Sequence, residues 1–147
     1  MSLQDTTAPA QTDALSFVFE LKHRPEKVWR ALTDPTLLRE WLLPTVGLQL
    51  GLGSSFTFQT QPMPGWDGTV FCRILELHEG KRLSYSWVVG EMLDTVVTFT
   101  LEPTPTGTRL SLLHSGFRPD QKQNFGGARY GWKHMGAKLI ELLSSTP

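Results

Sequence analysis

Residues 106–143 limit what this chain can fold into more than any other stretch. They read Thr-Gly-Thr-Arg-Leu-Ser-Leu-Leu-His-Ser-Gly-Phe, then turn formers, then a segment carrying Gly131-Trp132. Leu110, Leu112 and His114 share one parity, Arg109 and Ser111 the other, which is the pattern of a half-buried strand. Further on, Phe125, Ala128, Trp132, Met135, Leu139, Leu142 and Leu143 fall on one face at helical spacing, with Lys122, Lys133, His134 and Glu141 away from it. Asp120, with Gln123 three residues on, predicts a capping box at the helix start, with Pro119 just outside it. A last strand therefore hands over to a long amphipathic helix, and the upstream sequence must supply the apolar surface beneath it.

Residues 1–13 are small and polar and predict a disordered tail, leaving one domain over 14–147. Leu15, Phe17, Phe19 and Leu21 alternate with Ser16, Val18, Glu20 and Lys22, a first strand with one fully apolar face. Pro25 suits the first position of a helix whose stripe is Val28, Trp29 and Leu32. Asp34-Pro35 ends that helix and opens another, with Asp34 able to cap and Leu37, Leu38, Trp41 and Leu42 as the buried face. From Val46 to Phe117 the pattern is nearly all strand. Val46–Leu50 is a short one, Phe56 and Phe58 alternate with Thr57 and Gln59, and 62–68 is a loop of turn formers. Thr69–Leu77 carries apolar residues on both parities, which leaves its inward face open. After a tight turn at Glu79-Gly80-Lys81, Leu83, Tyr85, Trp87 and Val89 point one way, and Val97, Phe99 and Leu101 continue the set beyond the turn at 90–92. The last hairpin is at 103–107. One strand, two short helices, about six antiparallel strands and a long helix make an α+β meander that curls round the helix.

Composition narrows the function. Lys+Arg and Asp+Glu are equal at 14 each, so neither a basic excess nor a basic stripe marks a nucleic-acid binder. Cys72 is the one cysteine, which leaves no disulfide framework and no cysteine metal cluster, and its strand setting reads as a small buried residue. No apolar run is long enough to span a membrane, and no basic segment followed by an apolar run opens the chain, so the cytoplasm is the expected compartment.

The element order and five short motifs resemble one superfamily. Arg24-Pro25-Glu26-Lys27-Val28-Trp29-Arg30-Ala31-Leu32-Thr33-Asp34-Pro35, followed by Trp41, is similar to the opening P-x-x-V-W-x-A-L-T-D-P…W signature of the START-like, Bet v 1-like helix-grip proteins, also called SRPBCC. Arg82-Leu83-Ser84-Tyr85-Ser86-Trp87 resembles their R-L-x-Y-x-W strand. Gly107-Thr108-Arg109-Leu110, His114-Ser115-Gly116-Phe117 and Gly131-Trp132 resemble the G-T-R-L…H-x-G-F…G-W ending. Together they point to the branch named after the activator of heat shock protein 90 ATPase homologue, over about residues 15–144. The resemblance implies a seven-stranded sheet wrapped round the last helix, with a cavity between them. It implies no single activity, since members bind lipids, sterols or hormones, or act as cyclases or hydrolases.

The inward list is aromatic: Phe56, Phe58, Tyr85, Trp87, Phe99, Phe125 and Trp132. Such rings fill a core, or line a cavity of the usual ligand size, about 300–1,000 Å³. Gly126, Gly127, Gly131 and Gly136 are each unfavourable in a helix by roughly 1 kcal/mol against Ala. Close approach to the sheet, room for a ligand, or a poorly formed first turn would each account for them. His114 is either a ligand-facing imidazole or a core histidine, and Tyr85 is the second polar candidate. Trp41 and Trp66 are placed at the cavity mouth, and Met135 completes the ligand-binding set. No nucleophile–base pair, zinc motif or phosphate loop is present, and His23, His78 and His134 do not cluster. The reading is a module for a small hydrophobic or aromatic molecule, without cofactor or metal, as monomer or homodimer. The alternatives are a cyclase- or hydrolase-type enzyme using the same cavity with His114 as acid or base, and a chaperone-associated interaction module. For the last, the chain has one domain, where the eukaryotic co-chaperone pattern has a separate N-terminal one as well.

Overall fold

In the computed structural model, which describes residues 1–146, the alternating segments form one eight-stranded antiparallel sheet. The elements are β1 (Ser2–Asp5), β2 (Ala14–Leu21), α1 (Pro25–Thr33), α2 (Pro35–Trp41), β3 (Thr45–Val46), β4 (Ser55–Gln59), β5 (Thr69–His78), β6 (Arg82–Val89), β7 (Leu93–Thr104), β8 (Gly107–Ser115) and α3 (Lys122–Ser145). In space the strands run β1-β2-β8-β7-β6-β5-β4-β3. After β2 the two short helices carry the chain to the far edge, and the meander brings β8 back to pair with β2, Leu15 opposite His114. The architecture is the α+β helix grip, and α3 lies in its concave side. Among the described residues, no helix is long and apolar enough to cross a membrane.

Local chemistry explains the joints. Asp34 ends α1 and caps α2, its Oδ1 accepting from the Thr36 N–H at 2.9 Å. In β5 a bulge between Ile74 and Glu76 shifts the register. Val70, Cys72 and Ile74 face the core before it, and Leu77 packs on the core after it while Leu75 turns to solvent. The inserted residue flips the parity and so accounts for Leu77, while Phe71 and Leu75 are apolar residues on the solvent face.

Both ends of the chain depart from the sequence expectations. Ser2–Asp5 forms β1, paired with β2 from Ser2 opposite Glu20 to Asp5 opposite Phe17, where composition predicts a disordered tail over 1–13. Few as its apolar groups are, this segment finds partners on α3. Leu3 packs at Gly136, while the Asp5 carboxylate accepts from Arg129 Nε at 2.6 Å and lies 3.5 Å from Lys133 Nζ. Burial would raise the Asp5 pKa, but the Arg129 guanidinium and the Thr7 amide outweigh it and hold the carboxyl well below its usual range. The sheet therefore has one strand more than the seven implied by resemblance. The Asp120–Gln123 capping box does not form. Gln121 is the N-cap, and its carboxamide accepts from the Arg118 N–H at 2.8 Å and donates to the Met92 carbonyl, tying the helix start to the β6–β7 turn. At the far edge only Val46 of the expected strand 46–50 pairs, within the two-residue β3.

The last turns of α3 are closely packed. Trp132, Gly136, Leu139 and Leu143 are its buried residues. Lys27 of α1 donates to the carbonyls of Leu143 at 2.7 Å and Thr146 at 2.5 Å, a cation on the negative end of the helix. A methyl group at Gly136 would lie 2.7 Å from Leu3 Cδ2 and 3.0 Å from the Phe19 ring, whereas one at Gly126 meets nothing within 4 Å. Gly136→Val is therefore expected to destabilise the fold by about 1–3 kcal/mol through overpacking. Gly126→Ala is expected to stabilise it by up to about 1 kcal/mol through helix propensity. Urea unfolding of both variants checks the pair, and equal effects would show that Gly136 is not a close-approach position.

Candidate functional site

The site begins with Trp132, which the spacing of α3 turns toward the middle of the sheet. Its indole Nε1–H donates to His114 Nδ1 at 2.9 Å. An indole can only donate, so Nδ1 carries no proton and the neutral ring must carry it on Nε2. That Nε2–H meets Thr95 Oγ1 at 2.8 Å, and the Thr95 hydroxyl donates to the Trp87 carbonyl at 2.7 Å. The chain of bonds joins α3, β8, β7 and β6 in sequence. His114 is 1% exposed, and burial pushes its pKa down to about 3. Trp87, Trp132 and Phe117 surround the imidazole at ring-centroid distances of 5.9, 5.9 and 4.7 Å. Both ring nitrogens are committed within the protein. His114 is a core histidine that fixes two cavity walls, and it has neither a free lone pair nor a free N–H for a ligand.

Beside this cluster lies a cavity of about 620 Å³, within the usual ligand range. The sheet supplies Val70, Trp87, Val89 and Leu93, the segment after α2 supplies Leu43, and the loop before β5 supplies Met63 and Trp66. Along α3, Gln123, Asn124, Gly127, Ala128, Gly131, Trp132 and Met135 form the facing wall, and Met92 closes the rim. Exposed Met63 and Met92 mark where it opens to solvent. Trp66 is anchored at the mouth by its Nε1–H to the Thr69 carbonyl, 2.9 Å. Gly127 and Gly131 are the glycines of open space: a methyl at Gly127 would meet nothing within 4 Å, and one at Gly131 only Met135 Cε at 3.8 Å.

The ten residues singled out in the sequence divide. Trp87, His114, Trp132 and Met135 line this cavity. Phe56, Phe58, Tyr85 and Phe99 fill the core instead, with Phe56–Tyr85 at 5.4 Å and Phe58–Tyr85 at 5.8 Å. The space left where Phe56, Phe58 and Tyr85 meet the short helices is about 10 Å³, too small for any organic ligand. Trp41 is not at the mouth. It is buried under α1, donating to the Ala31 carbonyl at 2.8 Å. Phe125 turns aside to pack edge-on against Phe117 at 5.3 Å. Gln123 and Asn124 were missed, although Gln123 stands one and two turns ahead of Gly127 and Gly131, and Asn124 one, two and three turns ahead of Ala128, Gly131 and Met135.

Chemically the site is quiet. Burial pushes the Cys72 thiol up to about 12, so it is protonated and unreactive. Tyr85 is also raised, chiefly by burial and then by Cys72, and its hydroxyl meets no hydrogen-bond partner among the described residues. Among the described residues, no group of three or more His, Cys, Asp or Glu side chains is placed to hold a metal ion.

Two outcomes follow. His114 and His23 both have lowered pKa values, His114 by burial, His23 by burial and then by the Lys27 charge. The unfolded chain therefore binds protons that the fold does not, and stability falls as pH drops below about 6.5, at up to about 1.4 kcal/mol per pH unit for each such group. The window from pH 6.5 to about 4 isolates the histidines, because Asp5 contributes only below its ordinary carboxylate range. His114→Gln is expected to flatten much of that slope in urea titrations, and an unchanged slope would place the proton uptake on unfolding elsewhere. Tyr85→Phe removes an unpaired buried hydroxyl and is expected to raise stability by about 1–3 kcal/mol in the same assay.

The family model described as Activator of Hsp90 ATPase homolog 1-like protein matches residues 22–144. The solved structure of protein MLL2253 from Mesorhizobium loti is similar at 40% identity and TM-score 0.83, over 91% of this chain and 98% of that one. Protein CV1439 from Chromobacterium violaceum aligns at 24% identity and TM-score 0.75, over 92% of this chain and 100% of that one. CalU16 from Micromonospora echinospora does so at 23% and 0.68, over 97% and 89%. The last two share the fold. No curated protein matches.

Proposed function

This chain belongs to the Activator of Hsp90 ATPase homolog 1-like family, and from that premise we propose that it binds a small hydrophobic or aromatic molecule between the sheet and α3. The observation that carries the reading is the 620 Å³ cavity walled by Trp66, Trp87 and Trp132 and rimmed by methionines. Flat indole faces and adaptable thioethers suit an aromatic occupant whose exact shape is not fixed. Glycines at 127 and 131 support it further. In a helix each is unfavourable by roughly 1 kcal/mol against Ala, both line the cavity, and the one atom a methyl at Gly131 would meet belongs to Met135 of the same wall.

An enzymatic use of the same cavity has less support. The residue named for acid–base work, His114, has both nitrogens bonded inside the protein and a pKa near 3, so a catalyst would have to come from another group. The chaperone reading rests on the family's name alone.

The neutral fluorophore N-phenyl-1-naphthylamine tests the proposal. Saturable fluorescence enhancement is expected with the intact chain. Gly131→Leu fills the cavity from a position with room for it, and is expected to weaken binding by about tenfold or more without loss of stability. A fluorophore that binds both chains equally would move the site elsewhere.

A further inference from the structure

The cavity wall contains no Lys, Arg, Asp or Glu. Its polar groups are nearly all engaged. Trp66 bonds Thr69, Trp132 bonds His114, and His114 bonds Thr95. Two remain. Gln123 and Asn124 lie side by side in the first turn of α3, and neither carboxamide joins the side-chain bonds that engage Gln121 among the described residues.

We propose that Gln123 and Asn124 make the cavity selective for uncharged ligands that carry an amide, ketone or hydroxyl at one end. The inference rests on the cavity reading above and adds the chemistry of the occupant. A carboxamide offers both an acceptor and two donors, so a pair of them can meet a ligand amide in both senses. A carboxylate would find the donors but also carbonyl lone pairs, with no cation in the wall to balance its charge. An ammonium would find no carboxylate. The positive end of the α3 dipole does not supply the missing charge, because the cavity lies along the side of the helix while the free amides of its first turn point along the axis. Nor is a wholly apolar occupant favoured, since whatever it covered of the half-buried Asn124 and the exposed Gln123 carboxamides would be left unsatisfied.

Four naphthalenes of nearly equal shape separate these cases: 2-naphthamide, 2-naphthoate, 2-naphthylmethylammonium and 2-methylnaphthalene, each titrated calorimetrically into the full chain at neutral pH. The amide is expected to bind about tenfold or more tighter than either ion, and several-fold tighter than the hydrocarbon. In the Gln123→Leu/Asn124→Leu variant, the amide is expected to lose its advantage over the hydrocarbon, whose own affinity holds or rises as the uncompensated carboxamides are removed. Gln123→Lys is expected to bring naphthoate up toward the amide. Equal affinities of amide and naphthoate for the unaltered chain would overturn the charge selectivity while leaving the cavity reading intact. An amide affinity unchanged in the double variant would overturn the role of the two carboxamides. If none of the four bound, the cavity reading would fail, and this inference with it.

Discussion

The hydrogen bond from Trp132 to His114 is the contact through which the long helix acquires a fixed place on the sheet. Apolar burial alone would hold α3 in the groove, since each large side chain put away contributes roughly 1.5–3 kcal/mol, but it would do so at many rotations about the helix axis. A donor-only indole facing one lone pair admits one. The lone pair exists because burial keeps the imidazole neutral, and the remaining ring proton is passed on through Thr95 to the Trp87 carbonyl. Three strands and a helix are joined by one chain in which every polar atom has a partner. Such networks specify a unique arrangement because any slip leaves a buried donor or acceptor unpaired.

With that rotation set, the glycines of α3 divide by place. Gly136 looks at Leu3 and Phe19 and lets the second half of the helix sit directly on β1 and β2. Gly127 and Gly131 line the cavity. Side chains at the first site would push the helix off the sheet, and at the others would fill the space between. The same residue type thus closes one end of the grip and opens the other.

Much of this was legible in the sequence where one residue decides one thing. The parity of His114 with Leu110 and Leu112 placed it inward, and Asp34-Pro35 placed the joint between the short helices. What stayed hidden depends on two distant elements. Alternation says that Phe56, Phe58, Tyr85 and Phe99 point inward but not what stands opposite them, and opposite them stand the short helices rather than open space. Trp41, read as a mouth residue, was inseparable by pattern from one buried under α1. The β1 segment could not be read at all, because its order comes from Arg129, Lys133 and Gly136, more than a hundred residues away.

Why the cavity does not collapse follows from where α3 is fastened. At its start Gln121 holds the Met92 carbonyl and Phe125 packs on Phe117. In its middle Trp132 holds His114, and at its end Lys27 holds the last carbonyls. Between the first two attachments the helix is a beam, stiff because its backbone bonds are internal, and the residues facing the sheet there are small. Closing the gap would mean bending the beam or giving up a buried hydrogen bond, and either is less favourable than leaving surface uncovered that a ligand can cover. The opening is therefore a property of the attachments more than of the side chains that line it. Substitutions in the lining can change what the cavity accepts while the helix stays where its ends hold it.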